Sequence, residues 1–286
     1  VATGRVTHLA DFKPPKDDPG WANFSPDEQK VVFVRNYDLY WMDLANLEKA
    51  KEDEDDPTIV EHRLTDDGAL YYDYSGNSSG SRRKSNEDEG EWARKRLRVS
   101  GVWSHDSRQL ALVRYDNRKV EPLWVIDPLA KPRPTLETYS YVMPGEANMT
   151  QSELWVFDIA AGTRKRLDIP AFKDQDLQIL IAPLQKKNRA DKRQPVKWMS
   201  SSPDQLYLYR RSRDLKRLDV VRVDIGTGEA KVLVEERFNT ANDYKTPVLL
   251  GDGRELIYWS ERDGWGHFYL YDNAGKVKNA ITRGTF

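Results

Sequence analysis

Cysteine is absent from all 286 residues of the sequence. The chain therefore has no disulfide framework, no thiol nucleophile and no cysteine-ligated metal site. Histidine is scarce as well, and the four histidines are His8, His62, His105 and His267. No two of them have the i, i+4 spacing of a helical metal motif. The sequence therefore predicts neither a metal centre nor a cofactor.

Long apolar runs are missing too. No window approaches the roughly 18 apolar residues of a membrane-spanning helix, and the first residues, VATGRVTHLADF, lack the apolar core of a signal peptide. We therefore expect no membrane span in this chain. Charged residues make up 32% of the sequence and hydrophobic residues 38%, which is typical of a protein with a well-solvated surface.

Neither sign of charge is in excess, since 45 Lys and Arg residues face 46 Asp and Glu residues. This balance gives no overall field that would favour nucleic acid. Three basic runs, 93–98, 186–193 and 210–217, offer the local charge that nucleic acid attracts. Acidic runs at 52–56 and 87–91 lie close by in the sequence. We interpret the basic runs as solvated loops and strand edges, and we predict no nucleic-acid partner.

What the sequence does contain is a repeat. Four stretches each combine a polar turn, a β-rich run, a gap and a second run that ends near Asp. The turns contain Pro-Asp, His-Asp or Asp-Gly, and the runs are rich in Val, Leu, Tyr and Trp. The stretches are FSPDEQKVVFVRNYDLYWMDL (24–44), WSHDSRQLALVRYDNRKVEPLWVID (103–127), SSPDQLYLYRRSRDLKRLDVVRVDI (201–225) and LGDGRELIYWSERDGWGHFYLYD (250–272). Each stretch predicts two antiparallel strands joined by a short polar turn.

A further strand-like segment usually follows these hairpins, and the four segments lie at 62–68, 164–169, 231–236 and 279–286. With a short inner strand, each repeat has about four strands, which is the unit of a β-propeller blade. The sequence thus predicts an all-β fold with about four four-stranded blades. Four blades can form a closed ring, but the sequence begins and ends on strand-like residues, as an arc of a larger propeller would. The sequence leaves these two alternatives undecided.

The predicted blade units span about 21–68, 99–169, 195–236 and 245–286. Insertions are expected at 69–98, 128–153 and 170–194. Within the second unit, residues 155–169 are interpreted as an extra hairpin, and the third insertion contains a strand-like run, LQILIAPL. No long amphipathic helix is evident, so we expect helix in at most about a tenth of the residues.

The segment GNSSG (76–80) has the letters of a nucleophile elbow, with Ser78 at its centre. An elbow needs a buried strand before the serine and a helix after it. Here Tyr and Asp precede the segment and the polar run SRRKSNEDEG follows it. His105 takes the place of a turn proline and His267 lies in the last hairpin, so structural roles account for both. We predict no catalytic residue in this chain.

The aromatic residues recur at equivalent positions of the repeats, as at Trp41, Trp124, Trp155 and Tyr269. This recurrence predicts packing between blades. The alternative is an aromatic surface for a ligand, which requires several of these rings to face solvent together. The alternation of residues along a strand does not decide between the two.

Taken together, residues 21–286 resemble the N-terminal β-propeller of dipeptidyl-peptidase IV-type proteins, which belong to the prolyl oligopeptidase family of serine peptidases. The resemblance is carried by VWSHDSRQLALVRYDNRKVEPLWVID, by KPRPTLETYSYVMPGE, and by WSERDGWGHFYLYD followed by ITRGTF. The segment YVMPG (141–145) after a Pro-rich stretch is the most particular of these and resembles bacterial members best.

The resemblance implies an eight-bladed propeller that covers an α/β-hydrolase domain with a Ser, Asp and His triad and limits the access of peptides. That domain is expected after Phe286 in the parent protein. The expected partners are therefore a peptide substrate and the hydrolase domain, and an extracytoplasmic, periplasmic location is implied. By itself the chain is expected to be inactive. The oligomeric state is left open.

In dipeptidyl peptidases of this family, a Glu-Glu motif in a propeller insertion binds the free N-terminus of the substrate. The matching place in this sequence reads NEDEGEWARKRLR, where Glu87, Glu89 and Glu91 alternate with other residues. We take these three glutamates as candidate substrate-binding residues. Glu235 and Glu236 form the one adjacent pair in the sequence, but they end a later strand and do not match the motif.

A second hypothesis is a stand-alone propeller that binds protein partners through its charged loops and catalyses nothing. The reading frame beyond Phe286 separates the two hypotheses. A strand, a Gly-x-Ser-x-Gly elbow and a helix after this residue favour the peptidase, whereas an early stop codon favours the interaction module.

Overall fold

The structure is a computed structural model that describes residues 16–78, 83–184 and 193–285. Within these ranges it contains eighteen β-strands and two α-helices, of nine and six residues. The prediction of an all-β fold with little helix is confirmed. Neither of the two described helices has the length or the apolar character needed to cross a bilayer.

The strands are short, and most have two to eight residues between polar turns. In the first half they are β1 (Asn23–Phe24), β2 (Lys30–Arg35), β3 (Asp38–Asp43), β4 (His62–Arg63), β5 (Val102–Trp103), β6 (Gln109–Asp116), β7 (Pro122–Asp127), β8 (Thr135–Ser140) and β9 (Gln151–Asp158). In the second half they are β10 (Thr163–Leu167), β11 (Asp176–Ile179), β12 (Gln205–Arg211), β13 (Arg217–Asp224), β14 (Ala230–Arg237), β15 (Val248–Leu250), β16 (Glu255–Ser260), β17 (His267–Asp272) and β18 (Val277–Ala280). Helix α1 is Leu44–Glu52 and helix α2 is Glu89–Arg94.

Sixteen strands form four antiparallel four-stranded sheets, with the orders β1-β2-β3-β4, β5-β6-β9-β10, β11-β12-β13-β14 and β15-β16-β17-β18. We number these sheets one to four. The four-stranded units expected from the repeats are therefore present. Strands β4, β10, β14 and β18 lie at an edge of their sheets, in or next to the segments where a fourth strand was predicted.

The polar turns repeat in detail. Ser25 and Asp27 cap the turn between β1 and β2, where Oγ of Ser25 accepts from the backbone N–H of Lys30 at 3.0 Å. Ser104 does the same for Gln109 at 2.8 Å between β5 and β6. Because the side chains replace backbone hydrogen-bond partners, these short loops turn the chain without leaving polar groups unpaired.

The second strand of sheet two is buried on both faces. Leu110 and Leu112 of β6 pack with residues of sheet one in a common core, while Ala111 and Val113 pack with residues of sheet three. Successive side chains of a strand point to opposite faces. The run LALV is therefore apolar throughout because neither face of this strand meets solvent.

Sheet three is buried in the same way. Leu206 and Leu208 of β12 join the core shared with sheet two, and Tyr207 and Tyr209 join the core shared with sheet four. The four sheets thus stack face to face in chain order, as the blades of a propeller do.

A buried hydrogen bond also links sheets one and two. The indole N–H of Trp103 donates to the side-chain oxygen of Asn23 at 2.9 Å, and Trp103 is fully buried. The side-chain amide of Asn23 in turn donates to the carbonyl oxygens of Val99 and Gly101. The chain that enters sheet two is fixed to the innermost strand of sheet one by this set of bonds.

The strand pairing in the second repeat differs from the prediction. Strand β6 pairs with β9, with Leu112 opposite Trp155, and not with β7. Strands β9 and β10 (151–167) complete sheet two, so they are not the extra hairpin expected at 155–169. The extra hairpin is β7–β8, which forms a separate two-stranded sheet within the β6–β9 connection.

Trp124 corrects the interpretation of the aromatic residues. It lies on β7 and is 63% exposed, so it does not pack between blades. Trp41 and Trp155 are half-buried against the core of sheets one and two, and Tyr269 is buried in the core of sheets three and four. The recurrence predicted blade packing correctly where the strand belongs to a blade.

Two boundaries also differ from the predicted units. Strand β11 pairs with β12 through Leu177 and Arg210, so sheet three begins inside the segment 170–194 that was expected to be an insertion. Helix α1 follows β3 directly and was not predicted. Asp43 caps it by accepting the backbone N–H of Asn46 at 2.8 Å, a helix start of the usual Asp type.

The stacking of the sheets makes a stability prediction with a matched control. Replacing the fully buried Trp103 with Ala should lower the free energy of unfolding by about 3–5 kcal/mol, because it leaves a cavity and removes the hydrogen-bond donor of the Asn23 side-chain oxygen. Trp124→Ala, on the exposed hairpin, should change it by no more than about 0.5 kcal/mol. Urea denaturation of both variants is the measurement. Equal losses would contradict the assignment of Trp103 to the joint between sheets.

Candidate functional site

The acidic segment of the first insertion forms helix α2. Asp88 is its N-cap, and the carboxylate of this residue accepts the backbone N–H of Glu91 at 2.9 Å. Glu89 and Glu91 both lie in the first turn. An Asp followed by a Glu three residues later is a helix-start signal that the sequence itself carries at DEGE, although the helix was not predicted there.

Trp92 fixes α2 to sheet one. Its side chain is 4% exposed, and its ring centroid lies 4.8 Å from that of Tyr37. Tyr37 belongs to the turn between β2 and β3, where Asn36 and Tyr37 both have a positive φ, of 46° and 73°. Such angles are those of a tight two-residue hairpin turn. The acidic segment is therefore held against one end of the first sheet.

The insertion also contacts the β7–β8 hairpin. The backbone N–H of Ser85 donates to the carboxylate of Glu137 at 3.3 Å, and the side-chain amide of Asn86 donates to the carbonyl oxygen of Lys131 at 3.3 Å. The β7–β8 hairpin lies in the connection between β6 and β9. This connection joins the two middle strands of sheet two, as the β2–β3 turn joins the two middle strands of sheet one. Both features thus lie at the same end of the sheets and form one continuous surface there.

Glu87 is already engaged within the insertion. Its carboxylate forms an ion pair with Lys95 and accepts the backbone N–H of Lys84 at 3.3 Å. The hydrogen bond from Lys95 is the main cause that lowers the pKa of Glu87 below its usual value. The ion pair links the residue before the N-cap of α2 to the C-cap residue Lys95. The carboxylate of Glu87 is therefore already paired within the insertion.

Glu89 and Glu91 differ from Glu87. Both are exposed, and in the part of the chain that the structure describes their carboxylates have neither an ion pair nor a hydrogen bond. Residues two apart on a helix face different sides, so the two carboxylates do not form one clamp. The pKa of Tyr37 is raised chiefly by burial, and the negative charges of Asp73 and Glu89 raise it further.

Ser78 is not in a nucleophile elbow. It is exposed, it lies in a turn, and no strand precedes it within the segment 70–78. Its carbonyl oxygen accepts the side-chain amide of Asn117 at 2.8 Å, which attaches the loop to the end of β6. The remaining letters of the motif, Ser79 and Gly80, lie outside the described residues.

The histidines have separate structural contacts. His62 stacks on Trp41 with 4.4 Å between ring centroids. His105 donates from Nε2 to the carbonyl oxygen of Trp198 at 3.0 Å, and His267 is buried with Nε2 2.9 Å from the carbonyl oxygen of Gly284. His8 lies outside the described residues. Among the residues that are described, no three His, Asp or Glu side chains form a group that could hold a metal ion.

The adjacent pair Glu235 and Glu236 divides between solvent and core. Glu235 is exposed, whereas Glu236 is 2% exposed and accepts from the hydroxyl of Ser260 at 2.8 Å and from Arg262 at 2.9 Å. The charge of Glu236 is thus neutralised within the protein. Sequence reasoning did not identify this buried group, because Ser260 and Arg262 are distant in the sequence.

Sheets of four antiparallel strands that stack face to face define a segment of a β-propeller, and known proteins agree with this class. Residues 97–286 match the family described as "Dipeptidyl peptidase IV (DPP IV) N-terminal region". The chain belongs to this family.

The sequences of known dipeptidyl peptidases align with nearly the whole chain. It is 23% identical over 297 residues to dipeptidyl peptidase 4 of Trichophyton equinum and 22% identical over 299 residues to that of Arthroderma otae. Each alignment covers 99% of this chain, which spans only a third of the length of either relative. The crystal structure of Porphyromonas gingivalis dipeptidyl peptidase 4 shares the fold, with a TM-score of 0.62 and 22% identity over 92% of this chain and 32% of that one.

The anchoring of α2 is testable by proteolysis. Replacing Trp92 with Ala should release the helix from Tyr37, so trypsin should cut after Arg94 and Lys95 at least about tenfold faster, because local opening then costs less free energy. Trp265→Ala, a change of the same kind at an exposed ring, should leave these cuts unchanged. Cleavage rates are read by mass spectrometry. Equal rates in wild type and Trp92→Ala would show that Trp92 does not hold the helix.

Proposed function

We propose that the chain is the N-terminal propeller portion of a serine peptidase of the dipeptidyl-peptidase IV type. In this role it admits peptides and orients them for a hydrolase domain elsewhere in the parent protein. Family membership supports the proposal, as does the similarity to relatives named dipeptidyl peptidase 4.

The observation that carries the substrate-binding part is the state of Glu89 and Glu91. Both lie on a helix that is capped by Asp88 and anchored by Trp92, and both carboxylates are exposed and unpaired in the described part of the chain. Because the helix is already fixed, binding costs only the rotamer freedom of the glutamate side chain. These two residues are therefore suited to bind the ammonium group of a peptide N-terminus.

Glu87 has a supporting role in this proposal. Its ion pair with Lys95 joins the segment before α2 to the residue that ends the helix. The pair removes one positive charge from the surroundings of Glu89 and Glu91.

The substrate-binding prediction uses the full-length protein. Glu89→Gln and Glu91→Gln, singly and together, should raise the KM for peptides with a free N-terminus. A hydrogen bond between charged groups is worth about 1.5–3 kcal/mol, which corresponds to roughly a ten- to hundredfold change in KM. Because the two side chains face different sides of α2, the single variants show which of them contacts the ammonium group.

Two controls accompany this measurement. Peptides with an acetylated N-terminus carry no ammonium group, so their KM should stay within about twofold in every variant. Glu235→Gln changes an exposed glutamate of the adjacent pair on β14 and should affect neither kind of peptide. If free and blocked peptides respond alike, or neither responds, α2 is a spacer and the preference for free N-termini is not set there.

Catalysis is expected to need the rest of the parent protein. His62, His105 and His267 are engaged in separate contacts, and Ser78 lies in an exposed turn, so the described residues place none of these histidines beside Ser78. The isolated chain should therefore not hydrolyse chromogenic dipeptidyl or prolyl substrates. Turnover that persists through repurification and disappears in Ser78→Ala would show that the GNSSG segment is catalytic after all.

A further inference from the structure

A cavity of about 390 Å³ lies where the segment between β14 and β15 meets the end of β16. Its volume is in the range of small-ligand sites. The residues that matter for its chemistry are Glu236, Asn242, Lys245, Tyr258, Trp259 and Glu261. None of them belongs to α2 or to the first insertion.

Two polar groups of the lining are buried without a partner in the described part of the chain. Tyr258 is 1% exposed and Asn242 is 8% exposed, and among the described residues neither the hydroxyl of Tyr258 nor the side-chain NH₂ of Asn242 forms a hydrogen bond. Asn242 is held in place by its backbone N–H, which donates to the carbonyl oxygen of Leu215 at 2.8 Å. Buried polar groups normally have a partner, and leaving one unpaired costs about 1–3 kcal/mol. A ligand that accepts hydrogen bonds would recover this free energy.

The walls of the cavity are fixed by the surrounding structure. Arg262 and Ser260 neutralise and hold the carboxylate of Glu236. The ammonium group of Lys245 lies 4.6 Å from the ring centroid of Trp259. Gly266 is required beside this ring, because a Cβ there would lie 2.2 Å from the Trp259 indole. These contacts hold the side chains of Glu236 and Trp259 in place at the wall of the cavity.

The hydrogen-bonding groups of the lining select among ligand types. An ammonium group only donates, so it cannot pair with the NH₂ of Asn242, which also only donates. A carboxylate accepts, but it would meet the carboxylates of Asp243 and Glu261 against the one ammonium of Lys245, since the charge of Glu236 is neutralised by Arg262. An amide is neutral, accepts through its oxygen and donates through its nitrogen. It therefore matches both the unpaired donors and the acidic groups.

We propose that this cavity is a binding site for an amide group, with Asn242 and Tyr258 donating to the amide oxygen and the acidic side chains accepting from the amide nitrogen. A peptide supplies such a group from its backbone or from an Asn or Gln side chain. The identification of the natural ligand as a substrate peptide rests on the proposed function. The assignment of the cavity as an amide site rests only on the residues that line it.

The position of the cavity suits a long peptide. Asn242 contacts the turn between β12 and β13 at Leu215, and Arg213 of that turn donates to the carbonyl oxygen of Glu146 in the β6–β9 connection at 2.6 Å. That connection contains the hairpin that contacts the α2 insertion. A continuous row of loops at one end of the sheets thus joins the cavity to α2.

The test is ligand-observed NMR with the chain and four small probes. Propanamide presents a primary amide and N-acetylglycine N-methylamide presents backbone amides, while propanoate and propylammonium have similar size and carry a charge. The variants are Asn242→Ala and Tyr258→Phe. The control variant is Asn239→Ala, an exposed asparagine of the same segment that does not line the cavity. Thermal unfolding confirms that each variant is folded.

At least one amide should bind at millimolar concentration, and both charged probes should bind more weakly. Each cavity variant should weaken amide binding by about three- to tenfold, while Asn239→Ala leaves it unchanged. Binding of propanamide alone identifies a side-chain amide, and binding of the blocked glycine alone identifies the backbone. If Asn242→Ala does not fold, Tyr258→Phe, which keeps the ring, carries the test.

Three outcomes would overturn the proposal: no probe binds, the charged probes bind as tightly as the amides, or both cavity variants bind amides like the wild type. The Glu89→Gln variant separates this site from the proposed function. It should leave amide binding unchanged whether or not α2 binds a peptide N-terminus. Loss of amide binding in this variant would show that the two regions are one site.

Discussion

The structure depends on the burial of both faces of the middle sheets. In β6, Leu110 and Leu112 face sheet one while Ala111 and Val113 face sheet three, and in β12 the leucines and tyrosines alternate in the same way. Removal of this apolar surface from water is the dominant favourable free energy of folding. Each of the two middle sheets is covered on both faces by its neighbours, so the apolar cores lie between the sheets.

Stacking leaves only the ends of the sheets for function. The strands are occupied with packing, so side chains that can meet a ligand lie in the turns and in the connections between sheets. At one end, short contacts join α2, the β7–β8 hairpin, the β12–β13 turn and the segment before β15 into one surface. At this surface Glu89 and Glu91 have no ion pair among the described residues, whereas Glu236 is neutralised by Arg262. Similar glutamates thus differ in their ion pairing because their surroundings differ.

Family membership agrees with this arrangement. The relatives are about three times as long as this chain, and they are named as dipeptidyl peptidases. The acidic helix and the cavity beside Tyr258 differ in chemistry, since one offers charge and the other offers neutral donors. Two such sites along one surface would recognise two separate parts of a peptide.

The sequence by itself determined the all-β class, the four strands per unit and the polar turns, because these follow from local alternation and turn chemistry. It could not determine which strand pairs with β6. LWVID (123–127) and LWVFD (154–158) have nearly the same residues, and only the second is followed by the strand that completes the sheet. Likewise, the alternating glutamates near residue 89 are visible in the sequence. Their exposure, the anchoring by Trp92 and the separate cavity at Asn242 and Tyr258 arise from residues far apart in the chain, so only tertiary packing decided them.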